Sequence, residues 1–87
     1  MNTLQIEALA QKIWFDKDNM FVSLKDGRSL SIHLVWFPRL NKATIKQRKN
    51  YRLLGDGEGI NWEDIDEDIS VSGLLLGKGD MTKKRFY

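Results

Sequence analysis

The stretch MFVSLKDGRSLSIHL, residues 20–34, decides the predicted fold. It holds two runs in which apolar residues recur at every second position: Met20, Val22 and Leu24, then Leu30, Ile32 and Leu34. A period of two is typical of strands that bury one face. Between the runs, Asp26 and Gly27 form a pair favoured in type I′ turns, where both central residues need positive φ. The stretch therefore predicts a β-hairpin closed by a type I′ turn.

The residues before the hairpin predict one more strand. Two alternating sets make it up: Leu9, Gln11, Ile13 and Phe15, and between them Ala10, Lys12, Trp14 and Asp16. The turn-rich residues 16–19, DKDN, join this run to the hairpin. A three-stranded antiparallel meander results, and its apolar face needs a cover.

The only proline of the chain, Pro38, limits the third strand. Proline lacks an N–H and holds the residue before it extended, so the strand is predicted to run to about Phe37 and then leave the sheet. Strand alternation places Trp36 on the core face beside Ile32 and Leu34, and Phe37 on the opposite side or at the corner.

A short basic helix is predicted after the proline. Thr44 and Gln47 have the spacing of a capping box, in which each side chain bonds an otherwise unpaired N–H. The helix is placed at residues 45–50. Residues 51–54 are then either its end or a short extra strand.

A second short helix is predicted over residues 71–76, with Ser70 or Asp68 as its N-cap. The fold class is therefore α+β: a small single domain with a three-stranded antiparallel meander, two short helices and a possible extra short strand. The domain is placed at residues 1–77. Residues 78–87 lack periodicity and are predicted to be a basic, flexible tail.

Composition narrows the class of protein. Of the 87 residues, 41% are hydrophobic and 30% charged, as in ordinary globular domains. The sequence has no cysteine, which excludes disulfides, thiolate nucleophiles and cysteine-ligated metal centres and fits a reducing cytoplasm. The N-terminus does not read as a signal peptide, and no apolar stretch approaches the roughly 20 residues that span a bilayer. The expected location is the cytoplasm, with no membrane partner.

The net charge of +2 conceals a segregation of charge along the chain. Residues 39–52, named here the basic stripe, carry only basic charges, and residues 56–68 carry only acidic ones. The basic stripe has three readings: a solvated face, a surface for an acidic protein partner, or a contact with nucleic-acid phosphates.

Neither a catalytic group nor a cation site is predicted. His33, the only histidine, falls on the exposed face of the third strand with no acid to orient it. The acidic run of residues 63–68 fails the EF-hand pattern: a loop starting at Asp64 has Ile69 at its glycine position and Leu75 at its glutamate position. The run is interpreted as a solvated acidic turn at a helix N-terminus. No cofactor, metal ligand or catalytic residue is assigned.

The candidate binding or scaffold residues flank the proline and the acidic run. Arg39 is predicted to pair with a carboxylate of that run and so to hold the loop with Trp62 against the strand end. The candidate carboxylates are Asp64, Asp66 and Asp68. Tryptophans are expected first as core anchors and second as interface residues. The full set is Trp36, Phe37, Arg39, Arg48, Trp62, Asp66 and Asp68.

Six short motifs occur together along the chain. They are Asp26-Gly27-Arg28, Trp36-Phe37-Pro38-Arg39-Leu40, Ala43-Thr44 with Gln47-Arg48, Gly59-Ile60-Asn61-Trp62, Asp66-Glu67-Asp68-Ile69-Ser70-Val71, and Gly73-Leu74-Leu75. Over residues 15–76 this set resembles the bacterial domain-of-unknown-function family 2442. The chain departs from that pattern at Asn61, where relatives often have His, and at Ile45, where they often have Pro.

The resemblance implies a role in a two-protein pair. Members of this family look like small α+β domains, some followed by a helix-turn-helix, and they often lie beside a gene for a second small protein in a toxin–antitoxin-like arrangement. A chain that ends before a helix-turn-helix is expected to be the lone module, on the antitoxin-like or adaptor side.

The expected function is a non-enzymatic protein-interaction module whose partner is a small protein encoded nearby. The alternative is a nucleic-acid-associated regulator that uses the basic stripe and the basic tail. The sequence leaves self-association open.

Overall fold

Residues 8–77 are described by the computed structural model and form two small antiparallel sheets joined by short helices. Sheet A contains β1 (Ala10–Phe15), β2 (Asn19–Leu24) and β3 (Ser29–His33), and sheet B contains β4 (Arg52–Leu54), β5 (Gly59–Trp62) and β6 (Glu67–Ser70). The helices are α1 (Pro38–Lys42), α2 (Ile45–Lys49) and α3 (Val71–Leu75), with 3-10 turns at Leu34–Trp36 and Glu63–Ile65. The predicted α+β class is confirmed. Within residues 8–77, no helix has the length and apolar character needed to cross a bilayer.

One hydrophobic core is shared by both sheets and by the segments between them. The side chains that are most completely buried are Trp62, Met20, Leu34, Leu40, Ile60, Val22 and Val71. The apolar face of the predicted meander is thus covered by sheet B and the helices, as a one-sided sheet requires. The predicted tail, residues 78–87, lies outside the described residues.

The hairpin of β2 and β3 is confirmed, but the type I′ turn is wrong. The Gly27 N–H donates to the Leu24 carbonyl at 3.0 Å, and Gly27 has a φ of 98°. Among the described residues Asp66 is the only non-glycine with positive φ, so Asp26 does not have the conformation that a type I′ turn needs. Four residues separate the strands, and this length suits a turn followed by a single left-handed glycine.

A bulge shifts the predicted alternation of the first strand. The register of β1 with β2 slips between Ala10 and Lys12. Ala10 and Ile13 are therefore both buried although they are an odd number of residues apart, as expected where one extra residue enters a strand.

The predicted orientations of Trp36 and Phe37 are wrong. The third strand ends at His33, and Leu34–Trp36 form a 3-10 turn in which the Phe37 N–H donates to the Leu34 carbonyl at 2.9 Å. The side-chain period changes from two in the strand to three in the 3-10 turn. Leu34 and Phe37, three residues apart, therefore both face the core. Phe37 is 3% exposed and Trp36 is 51% exposed.

The capping box is confirmed, and a helix that was not predicted precedes it. The Gln47 N–H donates to Thr44 Oγ1 at 3.0 Å, and the Thr44 N–H donates to Gln47 Oε1 at 2.9 Å. The unpredicted helix is α1, where Pro38 takes the first helical position. Proline is favoured there because the first N–H groups of a helix have no partner within it. Ser70, rather than Asp68, caps α3 by accepting from the Gly73 N–H at 3.2 Å.

The acidic run is not a turn at a helix N-terminus. Its first half forms the 3-10 turn Glu63–Ile65, and its second half enters β6, which pairs with β5. Residues 51–54 include β4, so the alternative of a short strand is correct. Sheet B as a whole was not predicted, because its strands of three or four residues are too short to show a period.

Arg39 has a different carboxylate partner from those predicted. Its Nη1 donates to the Asp66 backbone carbonyl at 2.8 Å and lies 3.5 Å from Glu67 Oε1. Alternation along β6 turns Glu67 inward, where it is 4% exposed, and turns Asp68 outward to accept from Asn61 Nδ2 at 2.6 Å. Asp64 instead accepts from Asn50 at 3.1 Å. Arg39 still joins α1 to the segment after Trp62, through Asp66 and Glu67.

Candidate functional site

A groove of about 880 Å³ separates the outer edge of β1 from α2. Its size falls within the range of roughly 300 to 1,000 Å³ that is typical of protein ligand sites. One wall is the end of β1 with the turn after it, and the other is α2 with the residues just before and after it. The lining residues are Ile13, Trp14, Phe15, Asp16, Lys17, Ala43, Thr44, Ile45, Arg48, Lys49 and Tyr51.

Arg48 fixes the angle between α1 and α2. Its Nε donates to the Leu40 carbonyl at 3.0 Å, and its Nη2 donates to the Asn41 carbonyl at 3.0 Å. These carbonyls belong to the last turn of α1, where no following helical turn supplies N–H donors. The Leu40 carbonyl also accepts from the Ala43 N–H at 3.1 Å, so the guanidinium adds a second donor there, bonds Asn41 as well and holds α2 in place beside the groove.

An aromatic cluster forms the floor of the groove. The Phe15 and Tyr51 rings both contact the buried Trp62, with centroid distances of 6.4 and 6.3 Å. The Trp62 indole Nε1 donates to the Arg48 backbone carbonyl at 2.9 Å, which anchors the floor to α2. The Arg48 guanidinium lies 6.0 Å from the centroid of the Phe15 ring. The floor is thus attached to both walls and is well suited to keep its shape.

The edge of β1 is partly covered and partly open. The Tyr51 hydroxyl lies 3.3 Å from the Ile13 nitrogen and 3.4 Å from the Ile13 carbonyl oxygen, so it covers both backbone groups. The Asp16 N–H donates to the Asn19 carbonyl, so these two residues form a hydrogen-bonded pair of the β1–β2 ladder. Such pairs recur at every second residue, so residues 13 and 15 of β1 point their backbone groups away from β2. Phe15 therefore presents an N–H and a C=O to the groove.

The groove is cationic at its rim. Lys17, Arg48 and Lys49 line it, against a single carboxylate, Asp16. A hydrogen bond from the Asp18 backbone N–H lowers the pKa of Asp16, and Asn19 adds backbone and side-chain hydrogen bonds. Asp16 stays ionised at neutral pH but faces its own turn, so the positive charge of the two lysines dominates the rim.

Two exposed apolar side chains border the groove. Ile45 is 70% exposed at the start of α2, and Trp14 is 40% exposed at the edge of sheet A. Trp14 stacks on Phe21 with centroids 5.5 Å apart, and the Lys12 ammonium lies 5.7 Å from the Trp14 ring centroid. An apolar groove rimmed by charge is typical of an interaction site.

The lining residues include one carboxylate and three basic side chains. They include no histidine, and their single carboxylate is held by hydrogen bonds within its own turn. In residues 8–77, no cluster of three or more potential ligand residues could hold a metal ion. General acid–base chemistry needs a group whose pKa is tuned toward neutrality, and the Asp16 pKa is shifted the other way.

The predicted site residues fall into four places. Arg48 lines the groove and Trp62 lies beneath it. Arg39 and Asp66 form the junction between α1 and sheet B. Asp68 lies in sheet B, where Arg52, Asn61 and Asp68 form a hydrogen-bonded row across the three strands. Trp36 and Phe37 lie elsewhere, in a recess of about 230 Å³ at the edge of β3, with Ser31, Ile32, His33, Leu74 and Gly77.

Of the lining residues named above, only Arg48 belongs to the predicted set; Phe15, Lys17, Ile45, Lys49 and Tyr51 do not. Ile45 carried a usable signal, since an isoleucine at the first position of an otherwise polar helix has no core to enter. Lys17 and Tyr51 carried none, because the fold alone brings Lys17 to the same groove as α2 and the Tyr51 hydroxyl to Ile13, 38 positions away.

Comparison with known proteins identifies the family. The model of the family described as "Protein of unknown function (DUF2442)" matches residues 10–80. The chain belongs to this family. The resemblance inferred from the sequence motifs is thereby confirmed. No curated protein matches the chain.

Two solved structures share the DUF2442 fold described here. A protein of unknown function from Rhodospirillum rubrum is 28% identical, with a TM-score of 0.77 over 90% of this chain and 96% of that one. An uncharacterized protein from Chromobacterium violaceum, solved by solution NMR, is 22% identical, with a TM-score of 0.73 over 86% of this chain and 71% of that one. The second likeness bears on the fold alone.

Proposed function

We propose that this protein is a non-enzymatic protein-interaction module that binds an acidic segment of a partner protein in the groove between β1 and α2. The observation that carries the proposal is the composition of the groove: an aromatic floor, a cationic rim and one uncovered backbone position at Phe15. Each feature recognises a different part of an extended peptide.

The rim selects for negative charge. Lys17 and Lys49 are exposed and have no ion-pair partner among residues 8–77. Arg48 adds a third positive charge whose position is fixed by its bonds to α1. Complementary charge of this kind raises the association rate and disfavours basic partners. Its effect on the affinity itself is smaller.

The floor selects for one large apolar side chain. Phe15 and Tyr51 are half-buried, so an inserted aromatic or branched side chain would remove their remaining surface from water. The Phe15 N–H and C=O would bond the backbone of the same segment, in the manner of a strand added to a sheet edge. Because the Tyr51 hydroxyl covers the backbone of Ile13, this pairing is limited to the end of β1 at Phe15.

The paired role is carried over from the family resemblance of the sequence motifs. The partner proposed is a small protein encoded nearby, with this chain as the antitoxin-like or adaptor member, in the cytoplasm. A small partner with an acidic segment would fit a groove of this size.

The alternative of a nucleic-acid-associated regulator is less well supported. Three arginines of the basic stripe bond acceptors within the protein: Arg39 to Asp66, Arg48 to Leu40 and Asn41, and Arg52 to Asn61. The lysines that remain are Lys42, Lys46 and Lys49. Even with Arg48 added, these cations of the basic stripe are fewer than the roughly six to ten phosphate contacts of a strong nucleic-acid binder.

The test compares two lysines in matched positions. Lys17 lies in the turn after β1 at the groove, and Lys25 lies in the turn after β2 and does not line it. The tagged protein is purified from its native host, the co-purifying partner is identified and made recombinantly, and its affinity is measured by calorimetry. We expect Lys17→Glu to weaken binding by about tenfold or more and Lys25→Glu to leave it within about twofold.

Two results would contradict the proposal. The protein could emerge alone, or the recombinant partner could bind wild type, Lys17→Glu and Lys25→Glu equally. Binding of duplex or single-stranded DNA that weakens steeply with salt would instead support the alternative.

A further inference from the structure

The two edges of sheet A differ in their protection. On β1, the Ala10 N–H donates to the Gly57 carbonyl at 2.7 Å, and the Tyr51 hydroxyl covers both backbone groups of Ile13. On β3, no group in residues 8–77 bonds the outward backbone of the strand. An uncovered edge is a template for pairing with another strand.

The register identifies the open groups of β3. The Leu24 N–H donates to the Arg28 carbonyl, and the Leu34 N–H donates to the Asp18 carbonyl, both at 2.8 Å. Leu24 with Arg28 and Asp18 with Leu34 are therefore hydrogen-bonded pairs at the two ends of the hairpin. Such pairs recur at every second residue of an antiparallel ladder, so the even-numbered residues of β3 bond to β2. The N–H and C=O groups of Ser29, Ser31 and His33 point outward.

The β3 edge lacks the usual devices that prevent pairing. Natural edge strands carry lysine, proline, a bulge or an inward charge. Here the outward positions hold two serines and a histidine, all exposed, and the pairing of β3 with β2 has no bulge. The β1 edge is covered at Ala10 and Ile13, so β3 is the more open edge of sheet A.

We propose that this partner is a second copy of the chain, whose β3 pairs antiparallel with the first about a two-fold axis at Ser31. Ser31 then faces the second copy's Ser31, and Ser29 faces the second copy's His33. About six backbone hydrogen bonds form, and the two sheets become one continuous sheet of about six strands. This inference does not depend on the groove.

Self-pairing fits the chemistry of this edge. The outward residues carry no fixed charge, so two copies meet without like-charge repulsion. On the core side the register places Leu30 opposite the second copy's Ile32, and both side chains are only half-buried in the monomer. Ile32 also lines the recess beside Trp36, so the second copy's Leu30 would enter it.

The expected dimer is reversible. A strand pair of five residues buries less than the roughly 1,200 to 2,000 Å² of a stable interface, even with the exposed Val35 and Trp36 at its flanks. A dissociation constant on the order of 1 to 100 µM is therefore expected, and it is measurable by sedimentation.

The test places opposite charges at the two-fold axis. Wild type should sediment increasingly as a dimer when its concentration is raised. Ser31→Lys and Ser31→Glu should each stay monomeric, because like charges would face each other, while an equimolar mixture should form a dimer at least tenfold tighter than either variant alone. Ser23→Lys, on the same sheet face but on the central strand β2, should dimerise like wild type.

Three outcomes would overturn the inference. Wild type could remain monomeric at every concentration, or the mixture of charge variants could fail to dimerise although both fold by circular dichroism. The Ser31 amide could also resist hydrogen exchange to the same degree at all concentrations, which would mean that the chain covers its own edge.

Discussion

The Tyr51 hydroxyl bonds both backbone groups of Ile13, at 3.3 Å from the nitrogen and 3.4 Å from the carbonyl oxygen. One side chain, 38 residues away in sequence, thus occupies an edge position that another strand would otherwise take. The same ring packs on Trp62 and lines the groove. Tyr51 therefore separates the covered part of the β1 edge from the open part at Phe15.

Tyr51→Phe should expose the Ile13 backbone while keeping the packing of the ring. We expect a loss of about 1 kcal/mol in the free energy of unfolding, the net value of an ordinary hydrogen bond. The Ile13 amide should exchange faster with solvent, measured by NMR. The Val22 amide bonds to β3 and serves as the internal control, with unchanged protection. Unchanged exchange at Ile13 would contradict the assigned role of the hydroxyl.

The tryptophans Trp62 and Trp36 should differ strongly in their contribution to stability. Trp62 is fully buried and Trp36 is 51% exposed. Trp62→Ala should cost about 3 to 5 kcal/mol, because it leaves a cavity beneath the groove. Trp36→Ala should cost about 1 kcal/mol or less. Urea unfolding of the two variants measures the difference, and a larger cost for Trp36→Ala would show that its burial is misassigned.

Local signals account for the parts of the fold that could be predicted from the sequence. The β2–β3 hairpin follows from a period of two, and the helix N-caps at Thr44 and Ser70 follow from side-chain chemistry within three residues. Trp36 and Phe37 were misplaced because a single 3-10 turn after His33 changes the period. The sequence around Pro38 fits both a strand end and a helix start.

The candidate site could not be predicted, because it is formed by long-range contacts. The sequence shows the charge of Arg48 but not the bonds of its side chain to the carbonyls of Leu40 and Asn41. Glu67 pairs with Arg39 because of the strand alternation of β6, a strand too short to recognise from its sequence. The groove itself depends on Tyr51 reaching Ile13 across the fold.

Gly57 should be far less tolerant of substitution than Gly27. Both have positive φ, 109° and 98°. A Cβ at Gly57 would overlap the backbone of Ala10, whereas one at Gly27 would meet no atom within 4 Å. We expect Gly27→Ala to cost about 1 to 2 kcal/mol and Gly57→Ala more than about 3 kcal/mol. Thermal melts of both variants test this, and equal melting temperatures would contradict the packing of this loop on β1.

The pair of Asp26 and Arg28 predicts a small dependence of stability on acid pH. The Arg28 side chain, 2.7 Å away, lowers the pKa of Asp26 below its ordinary value of 3.8. A lowered folded-state pKa stabilises the fold above the unfolded pKa, and this contribution is lost as pH falls through the folded pKa. Arg28→Gln should raise the Asp26 pKa toward 3.8 in an NMR titration. An unchanged titration would show that the pair does not persist in solution.

The central claim, that a partner binds between β1 and α2, is tested most directly by an amide chemical-shift map of the protein with its co-purified partner. We expect the largest changes at Phe15, Lys17, Ile45 and Lys49, and smaller ones at the recess of Trp36. The same map with Lys17→Glu at equal concentrations should show changes reduced several-fold. Large changes confined to the Trp36 recess, with none at Phe15 or Ile45, would contradict the claim.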